Sequence, residues 1–144
     1  MSFSLDVNVL LCASDAASPV HAAARSFLQQ AAGGGDLLCL GWPTVMSYLR
    51  MSTHPRIFAS PLSPSEALGN VEALTGLPHV RLLAEEPGFL DVYREVTGTF
   101  PVRGNLVRDA HLAALLKQHG VRRLFSRDAD FKKFDFLELR DPFA

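Results

Sequence analysis

The sequence predicts an α/β protein in which helices cover both faces of a central, mainly parallel sheet. Short apolar segments alternate along the chain with longer segments whose apolar residues recur at helical spacing. Such alternation indicates right-handed β-α-β units and a parallel sheet between two helical layers. Hydrophobic residues make up 48% of the 144 residues, enough for a substantial core, and the length predicts a single domain over 1–144.

The first elements follow from apolar runs and a helix start. Residues 2–6 predict a buried strand that turns at once into a short helix over 7–14. Ser18 and Pro19 are typical of the N-cap and N1 positions, and they predict a helix from 19 to about 32.

The next segment predicts a strand and two helices. The run DLLCL at 36–40 predicts a short strand, and 43–51 predicts a helix. Ser63 and Glu66 have the spacing of a capping box, so a helix is expected over 64–75. The segments 42–51 and 63–75 carry more apolar residues than one face needs, which predicts either core burial or a homodimer interface.

The second half continues the alternation. The pattern predicts a strand over 80–83 and a helix over 89–97. The clearest helix spans 105–119, with Gly120 as its stop. Three short elements complete the chain: a strand over 122–126, a turn or short helix over 131–134, and a strand over 136–139.

Four acidic residues occupy the positions where these elements begin or end. Asp6 directly follows the first strand, and Asp109 lies in the first turns of the clearest helix. Asp128 and Asp130 follow the fourth strand. Because ligands of parallel sheets gather outside the carboxyl ends of the strands, we expect these side chains to converge there.

Converging carboxylates predict a divalent cation. Like charges raise each other's pKa unless a cation offsets them, and hard oxygen ligands favour Mg²⁺ or Mn²⁺. Such an ion can activate water and stabilise charge on a phosphate. The histidines show no zinc-like spacing, and we interpret four of them as surface or hydrogen-bonded side chains: His54, His79, His111 and His119.

Each acid also has a simpler interpretation when taken alone. Asp6 and Asp128 could cap the turns that follow them, and Asp109 could pair with Arg103 or Arg108. The amide side chains of Asn8 and Asn105 also have two interpretations. They could support the carboxylates through hydrogen bonds, or they could cap helices.

Charge and cysteine content limit the function classes. The net charge of −1 counts against a general nucleic-acid binder, but residues 103–133 hold eight basic and three acidic residues. This segment predicts either a solvated face or a surface that follows phosphates, with Arg103 and Arg127 as the candidate contacts. Cys12 and Cys39 stand in apolar contexts and predict free thiols in a reducing cytoplasm. The sequence shows no signal peptide and no apolar run long enough to span a membrane.

Five motifs stand in order along nearly the whole chain: LDVNVLL at 5–11, SYLRMSTHPRIF at 47–58, PLSPSEA at 61–67, GNLVRDAHLAALLKQHG at 104–120 and FSRDADFKKF at 125–134. Together they resemble the PIN-domain ribonucleases, and more narrowly the VapC-type toxins of bacterial toxin–antitoxin pairs. The resemblance implies a PIN-like three-layer α/β/α sandwich. It also implies an Mg²⁺-dependent endoribonuclease, acting on tRNA, rRNA or mRNA, that a small antitoxin inhibits and that commonly dimerises.

The resemblance also assigns roles to residues. Asp6, Asp109 and Asp128 match the catalytic metal ligands, and Asp130 matches an accessory acid. Ser47 departs from the family pattern, because many PIN domains carry a glutamate there, so it is assigned only a contact with water or phosphate.

Two other functions remain open from the sequence. Loss of the glutamate at position 47 could leave a catalytically weak or inactive PIN fold that binds RNA or an antitoxin. The spacing of Asp6 and Asn8 is loosely similar to phosphatases that form an aspartyl phosphate, but those require a second aspartate where Asn8 stands.

Overall fold

The protein is described by a computed structural model that covers residues 1–144 and contains a five-stranded sheet. The strands are β1 (Ser2–Leu5), β2 (Leu37–Gly41), β3 (Val80–Leu83), β4 (Arg123–Phe125) and β5 (Glu138–Arg140). Their order is β3-β2-β1-β4-β5, and every neighbouring pair is parallel. The predicted parallel sheet is confirmed.

Six α-helices and one 3₁₀ helix surround the sheet. They are α1 (Val7–Ser14), α2 (His21–Gly33), α3 (Trp42–Ser52), α4 (Pro64–Thr75), α5 (Phe89–Val96), α6 (Leu106–Gln118) and the 3₁₀ helix Ala129–Lys133. Helices α1 to α4 share one buried core, whereas α5, α6 and the 3₁₀ helix share a second. Alternation along β2 divides its side chains between them, since Leu38 and Leu40 enter the first core and Cys39 the second.

The strand order creates a switch point between β1 and β4. From β1 the chain builds outward to β2 and β3 through α1 to α4, and it then returns through α5 and α6 to pair β4 with the free side of β1. Right-handed crossovers in opposite directions place the helices on opposite faces. The carboxyl ends of β1 and β4 therefore adjoin where such sheets bind ligands.

Local signals set most element boundaries. The capping box of α4 is confirmed, because Glu66 N–H donates to Ser63 Oγ (3.1 Å) and Ser63 N–H donates to Glu66 Oε1 (3.2 Å). The predicted start of α2 was wrong by two residues. Ser18 Oγ accepts from Val20 N–H (3.3 Å) and thereby closes a turn that precedes the helix at His21.

Most other boundaries differ from prediction by one or two residues, and two of these differences have a clear local cause. Asn105 precedes α6 with helical backbone angles, and its side chain makes no capping bond. The last strand begins at 138 rather than 136, because Leu137 N–H donates to Phe134 O (3.1 Å) and extends the preceding turn.

Close packing at the end of β2 and a tight turn after α6 fix the position of that helix. A Cβ at Gly41 would lie 2.7 Å from Leu115 Cδ2, a fully buried side chain, so this strand end approaches α6 closely. Gly120 ends α6 with φ +72°, a conformation that favours glycine. None of the helices combines the length and hydropathy needed to cross a membrane, and both cysteines are free thiols.

Candidate metal centre

Asp6 is anchored where β1 meets α1. Its N–H donates to Phe125 O of β4 (3.0 Å), which continues the pairing of the two strands by one residue. Its side chain is buried, with the residue only 7% exposed, and Oδ2 accepts a hydrogen bond from Ser126 Oγ (2.8 Å). Asp6 occupies the N-cap position of α1 but makes no side-chain capping bond, so its hydrogen bond crosses to the neighbouring strand end instead.

Ser126 joins the two strand ends and was missed by the sequence analysis. It is 3% exposed, it donates to Asp6, and its Oγ accepts from Asp128 N–H (3.0 Å). One hydroxyl thus fixes the Asp6 carboxylate and the backbone that presents Asp128. The available clue was a small hydroxyl residue directly after β4 and two residues before an aspartate.

Asp128 and Asp130 are placed by a tight turn. Asp128 Oδ1 accepts from Asp130 N–H (2.9 Å), which caps the 3₁₀ helix, and the buried Phe131 and Phe134 anchor this segment in the second core. The turn-capping interpretation of Asp128 is therefore correct. Its second carboxylate oxygen makes no hydrogen bond within the protein, so the cap does not preclude a ligand role.

Asp109 reaches the same place from α6. It lies in the first turn of that helix, directly before the fully buried Ala110, which fixes its orientation. Carboxylate oxygens of Asp109, Asp128 and Asp130 lie within 4.8 Å of one another. Asp109 forms no ion pair with Arg103 or Arg108, so the ion-pair alternative is wrong.

The pKa values show that these carboxyls interact. Burial raises the pKa of Asp109 to about 6, and Asp128, Asp6 and Asp130 add to the rise. Burial also raises the pKa of Asp6, against the hydrogen bond from Ser126, with Asp128 as a further raising charge. The four predicted acids therefore act on one another electrostatically, and the charge of Arg108 offsets only part of the rise at Asp109.

The donor set suits a hard divalent ion. Ligands on opposite sides of one Mg²⁺ stand about 4.2 Å apart, given bonds of about 2.1 Å. The oxygens of the three clustered carboxylates lie within 4.8 Å of one another, which is close to that distance. Asp6 lies outside the three-residue cluster, and Ser126 occupies only one of its two oxygens.

The sequence of a known nuclease matches the entire chain. Ribonuclease VapC48 of Mycobacterium tuberculosis is 44% identical over 144 residues, which cover 100% of this chain and 99% of the relative. The chain belongs to the VapC family of PIN-domain ribonucleases. This membership confirms the resemblance seen in the motifs, although no protein-family model matches the sequence. It favours a nuclease over the phosphatase alternative.

Solved VapC structures share the fold. VapBC2 from Rickettsia felis, bound to a DNA fragment from its promoter, superposes with a TM-score of 0.70 at 12% identity, covering 98% of each chain. VapC20 of Mycobacterium tuberculosis, a sarcin–ricin loop cleaving toxin, gives 0.69 at 14% identity, covering 96% of this chain and 98% of that one. The predicted PIN-like fold is confirmed.

Three other predicted site residues form no side-chain hydrogen bond with the acids of this VapC chain: Asn8 and Asn105, predicted as supports, and Ser47, predicted to contact water or phosphate. Ser47 is half-buried in α3, and its hydroxyl makes no hydrogen bond. The predicted side-chain hydrogen bonds of Asn8 and Asn105 to the carboxylates are absent, since Asn8 points to solvent and Asn105 makes none. The hydroxyl of Ser126, rather than these amides, supports Asp6.

The two arginines that were predicted to contact phosphates have different surroundings. Arg103 is exposed in the loop before α6 and forms no ion pair. Arg127 pairs with Asp141 (Nε to Oδ2, 3.8 Å), and its Cζ lies 5.6 Å from the centroid of the Phe143 ring. A third basic residue, Lys133, lies 3.8 Å from Asp130 Oδ1. Lys133 thus borders the acidic cluster, whereas the Arg127 side chain contacts the segment after β5.

The histidines lie outside the acidic centre. His111 contacts Glu85, and this hydrogen bond lowers the pKa of that carboxyl. His119 contacts Ala84 O through Nε2 (2.8 Å) and Glu86 through Nδ1 (3.3 Å). Both therefore attach the loop after β3 to α6, in agreement with the predicted structural roles.

Proposed function

We propose that this chain, as a single PIN domain over 1–144, is a metal-dependent endoribonuclease toxin of a toxin–antitoxin pair, acting in the cytoplasm. The observation that carries the proposal is the convergence of Asp109, Asp128 and Asp130 within 4.8 Å at the switch point. VapC48, its relative over the full length, is named a ribonuclease. The proposed substrate is RNA, a class that includes tRNA, rRNA and mRNA.

Each of the four acids would contribute to the metal site in a different way. Asp109 and Asp128 would bind it directly, Asp130 would complete the outer side, and Asp6 would contribute the oxygen that Ser126 leaves free. A bound Mg²⁺ or Mn²⁺ supplies Lewis acidity and a water of lowered pKa. The hydrogen bonds of Ser126 hold the strand ends in place, so little reorganisation is needed when the ion enters.

Basic side chains would receive the RNA strand. Arg103 and Arg127 would contact phosphates and offset the charge that grows on the scissile group. Ser47 stays a weaker proposal, as a contact with water or phosphate, because its hydroxyl is half-buried and has no partner.

The test is Asp109→Asn, which removes one charged ligand and nearly preserves shape. We expect it to fold normally and to lose cleavage of an RNA oligonucleotide in Mg²⁺ by a factor of about 100 or more. A matched control is Asp91→Asn on α5, whose only partner is the exposed Arg94. The wild type should stop cleaving in EDTA and recover with Mg²⁺. Equal rates for Asp109→Asn and wild type would contradict the assignment.

A second function is the metal-independent binder, which the serine at position 47 favours. That protein would hold RNA equally well with and without Mg²⁺ and would not cleave it. The same EDTA series separates the two functions.

A protein antitoxin is the proposed partner, since a structural neighbour is VapBC2. Helices α1 to α4 border an apolar groove with a cavity volume of about 700 Å³. Tyr48 lies in it and binds Ser14 Oγ (2.8 Å) and Asn70 Nδ2 (3.0 Å). An apolar antitoxin segment would dock there, and Leu74→Glu in the groove should abolish co-purification while RNA cleavage persists.

A homodimer is also proposed. Trp42 and Met46 lie one turn apart on α3 and are 45% and 57% exposed. The core therefore does not bury all the apolar side chains of the segment 42–51, and a second copy of the chain could cover them. Sedimentation of the purified chain checks the oligomeric state, and a monomer at all concentrations would contradict the proposal.

A further inference from the structure

The segment after β5 lies directly beside the candidate metal centre. Strands β4 and β5 are parallel with Phe125 opposite Arg140, and Ser126 N–H donates to Arg140 O (2.9 Å). The residues that follow β5 therefore emerge at the same sheet edge as Ser126, Arg127 and Asp128.

A turn built on Asp141 gives this segment a defined shape. Asp141 Oδ1 accepts from Phe143 N–H (2.8 Å), and Pro142 between them is buried. The other carboxylate oxygen of Asp141 faces Arg127 Nε at 3.8 Å. One aspartate thus positions both the Phe143 ring and the Arg127 guanidinium.

The resulting pair places a flat cation over an aromatic ring. Arg127 Cζ lies 5.6 Å from the Phe143 ring centroid, and its side chain remains 58% exposed. The ion pair with Asp141 is long and solvated, so it adds little to stability. Arg127 directly precedes Asp128, so the backbone that carries the guanidinium lies at the same end of the sheet as the acids.

We propose that Arg127 and Phe143 form a stacking platform for an unpaired RNA base next to the scissile phosphate. Proteins that bind unpaired RNA stack its bases on aromatic rings and on guanidinium planes. Phe143 supports one side of the guanidinium, and the exposed opposite side receives the base. Phe143 and Asp141 act as positioning residues, and the substrate class is single-stranded or looped RNA. The inference relies on the proposed ribonuclease function.

The test measures binding separately from cleavage. In the Asp109→Asn background with Mg²⁺, fluorescence anisotropy reports the affinity for a short labelled single-stranded RNA and for the matching duplex. Phe143→Leu should weaken single-strand binding roughly ten-fold and leave duplex binding unchanged, because the guanidinium loses the ring that holds its plane in place for stacking. Phe143→Tyr should restore the affinity.

Arg127→Lys distinguishes stacking from charge. It keeps the positive charge but loses the plane, so it should weaken single-strand binding as Phe143→Leu does, with an unchanged salt dependence. In the active background Phe143→Leu should raise KM and preserve kcat, because Phe143 contacts neither the ion nor the scissile phosphate. Wild-type affinity for single-stranded RNA in either variant would overturn the platform.

The control is Phe136→Leu. Phe136 carries an equivalent pair with Lys117 (Nζ 5.2 Å from the ring centroid), but it precedes β5 and lies at the opposite sheet edge. The Phe136→Leu variant should bind single-stranded RNA with the affinity of the Asp109→Asn parent. Weakened binding in this control would overturn the proposal. A wild type that never cleaves RNA refutes the proposed function, whereas the binding series judges the platform independently.

Discussion

At the scale of single residues, the acidic centre depends on a hydroxyl that carries no charge. Ser126 is the only side chain that hydrogen-bonds the Asp6 carboxylate, and the same oxygen accepts the N–H of Asp128. Two like charges are thereby presented from adjacent strand ends by one buried serine.

We predict that Ser126→Ala lowers Mg²⁺-dependent RNA cleavage by about 10- to 100-fold, because it removes the group that orients Asp6. It should also destabilise the fold by about 1–3 kcal/mol, since the half-buried N–H of Asp128 loses its acceptor and the buried Asp6 carboxylate loses its donor. Urea unfolding and a Mg²⁺ titration of cleavage measure the two effects. Ser4→Ala is the matched control, because Ser4 is equally buried and its Oγ has no partner. Equal losses in both variants would contradict the role of Ser126.

The raised pKa of Asp109 predicts a pH dependence. The folded pKa of about 6 lies above the ordinary value of 3.8, so the folded state binds the extra proton between these values. Metal-free stability should therefore fall as the pH rises from 3.8 to 6, and the penalty is complete above that window. Asp109→Asn should reduce this slope in urea unfolding, and the raised pKa of Asp6 accounts for the part that remains. In the wild type, the Mg²⁺ concentration needed for half-maximal cleavage should fall as the pH rises towards 6, because the ion competes with the proton on Asp109.

At the scale of elements, local sequence explains helix starts wherever the signal is complete. The box at Ser63 and Glu66 contains both reciprocal hydrogen bonds, and α4 begins where predicted. Ser18 and Pro19 have the same residue types without a glutamate or glutamine at the third helical position, and there the chain makes a turn first. The absence of a glutamate or glutamine that could complete the capping box explains why α2 begins later than predicted.

Ser63→Ala should destabilise the protein by about 1 kcal/mol, because the N–H of Glu66 loses its cap. Cleavage of RNA should be unchanged, since α4 contributes no acid to the centre. Thermal melting measures the effect, with Ser65→Ala as the control, because Ser65 is exposed and makes no hydrogen bond. A larger effect at Ser65 would contradict the cap.

At the scale of the whole molecule, repulsion among the acids links metal binding to folding. Asp6 lies between β1 and α1, Asp109 lies in α6 and Asp128 follows β4, so unfolding separates them completely. An ion that binds only the folded arrangement stabilises the entire chain by mass action.

We predict that Mg²⁺ or Mn²⁺ raises the melting temperature of the wild type and that EDTA reverses the rise. A hundred-fold excess over Kd corresponds to about 2.7 kcal/mol. Asp109→Asn should show a much smaller shift, whereas Asp91→Asn should behave as the wild type. Differential scanning fluorimetry makes the measurement, and equal shifts in both variants would contradict a shared ion.

Much of the fold was predictable because its determinants are local. The strand over 80–83 and the helix over 7–14 were predicted with their observed boundaries, and the β-α alternation gave the parallel sheet. The last strand was placed two residues early, because Leu137 N–H bonds to Phe134 O in a turn that apolar residues alone do not reveal.

The sequence by itself determined the α/β alternation, the family motifs and the four acidic positions, since these depend on residue type and spacing. Only the tertiary structure decided which groups meet. The Asp6 carboxylate accepts a hydrogen bond from the hydroxyl of Ser126 and none from the side-chain amides of Asn8 and Asn105. The Arg127 guanidinium lies over the Phe143 ring. Those contacts depend on β1, β4 and β5 lying side by side. Spacing along the chain does not encode distances between residues that are more than a hundred positions apart, as Asp6 and Ser126 are.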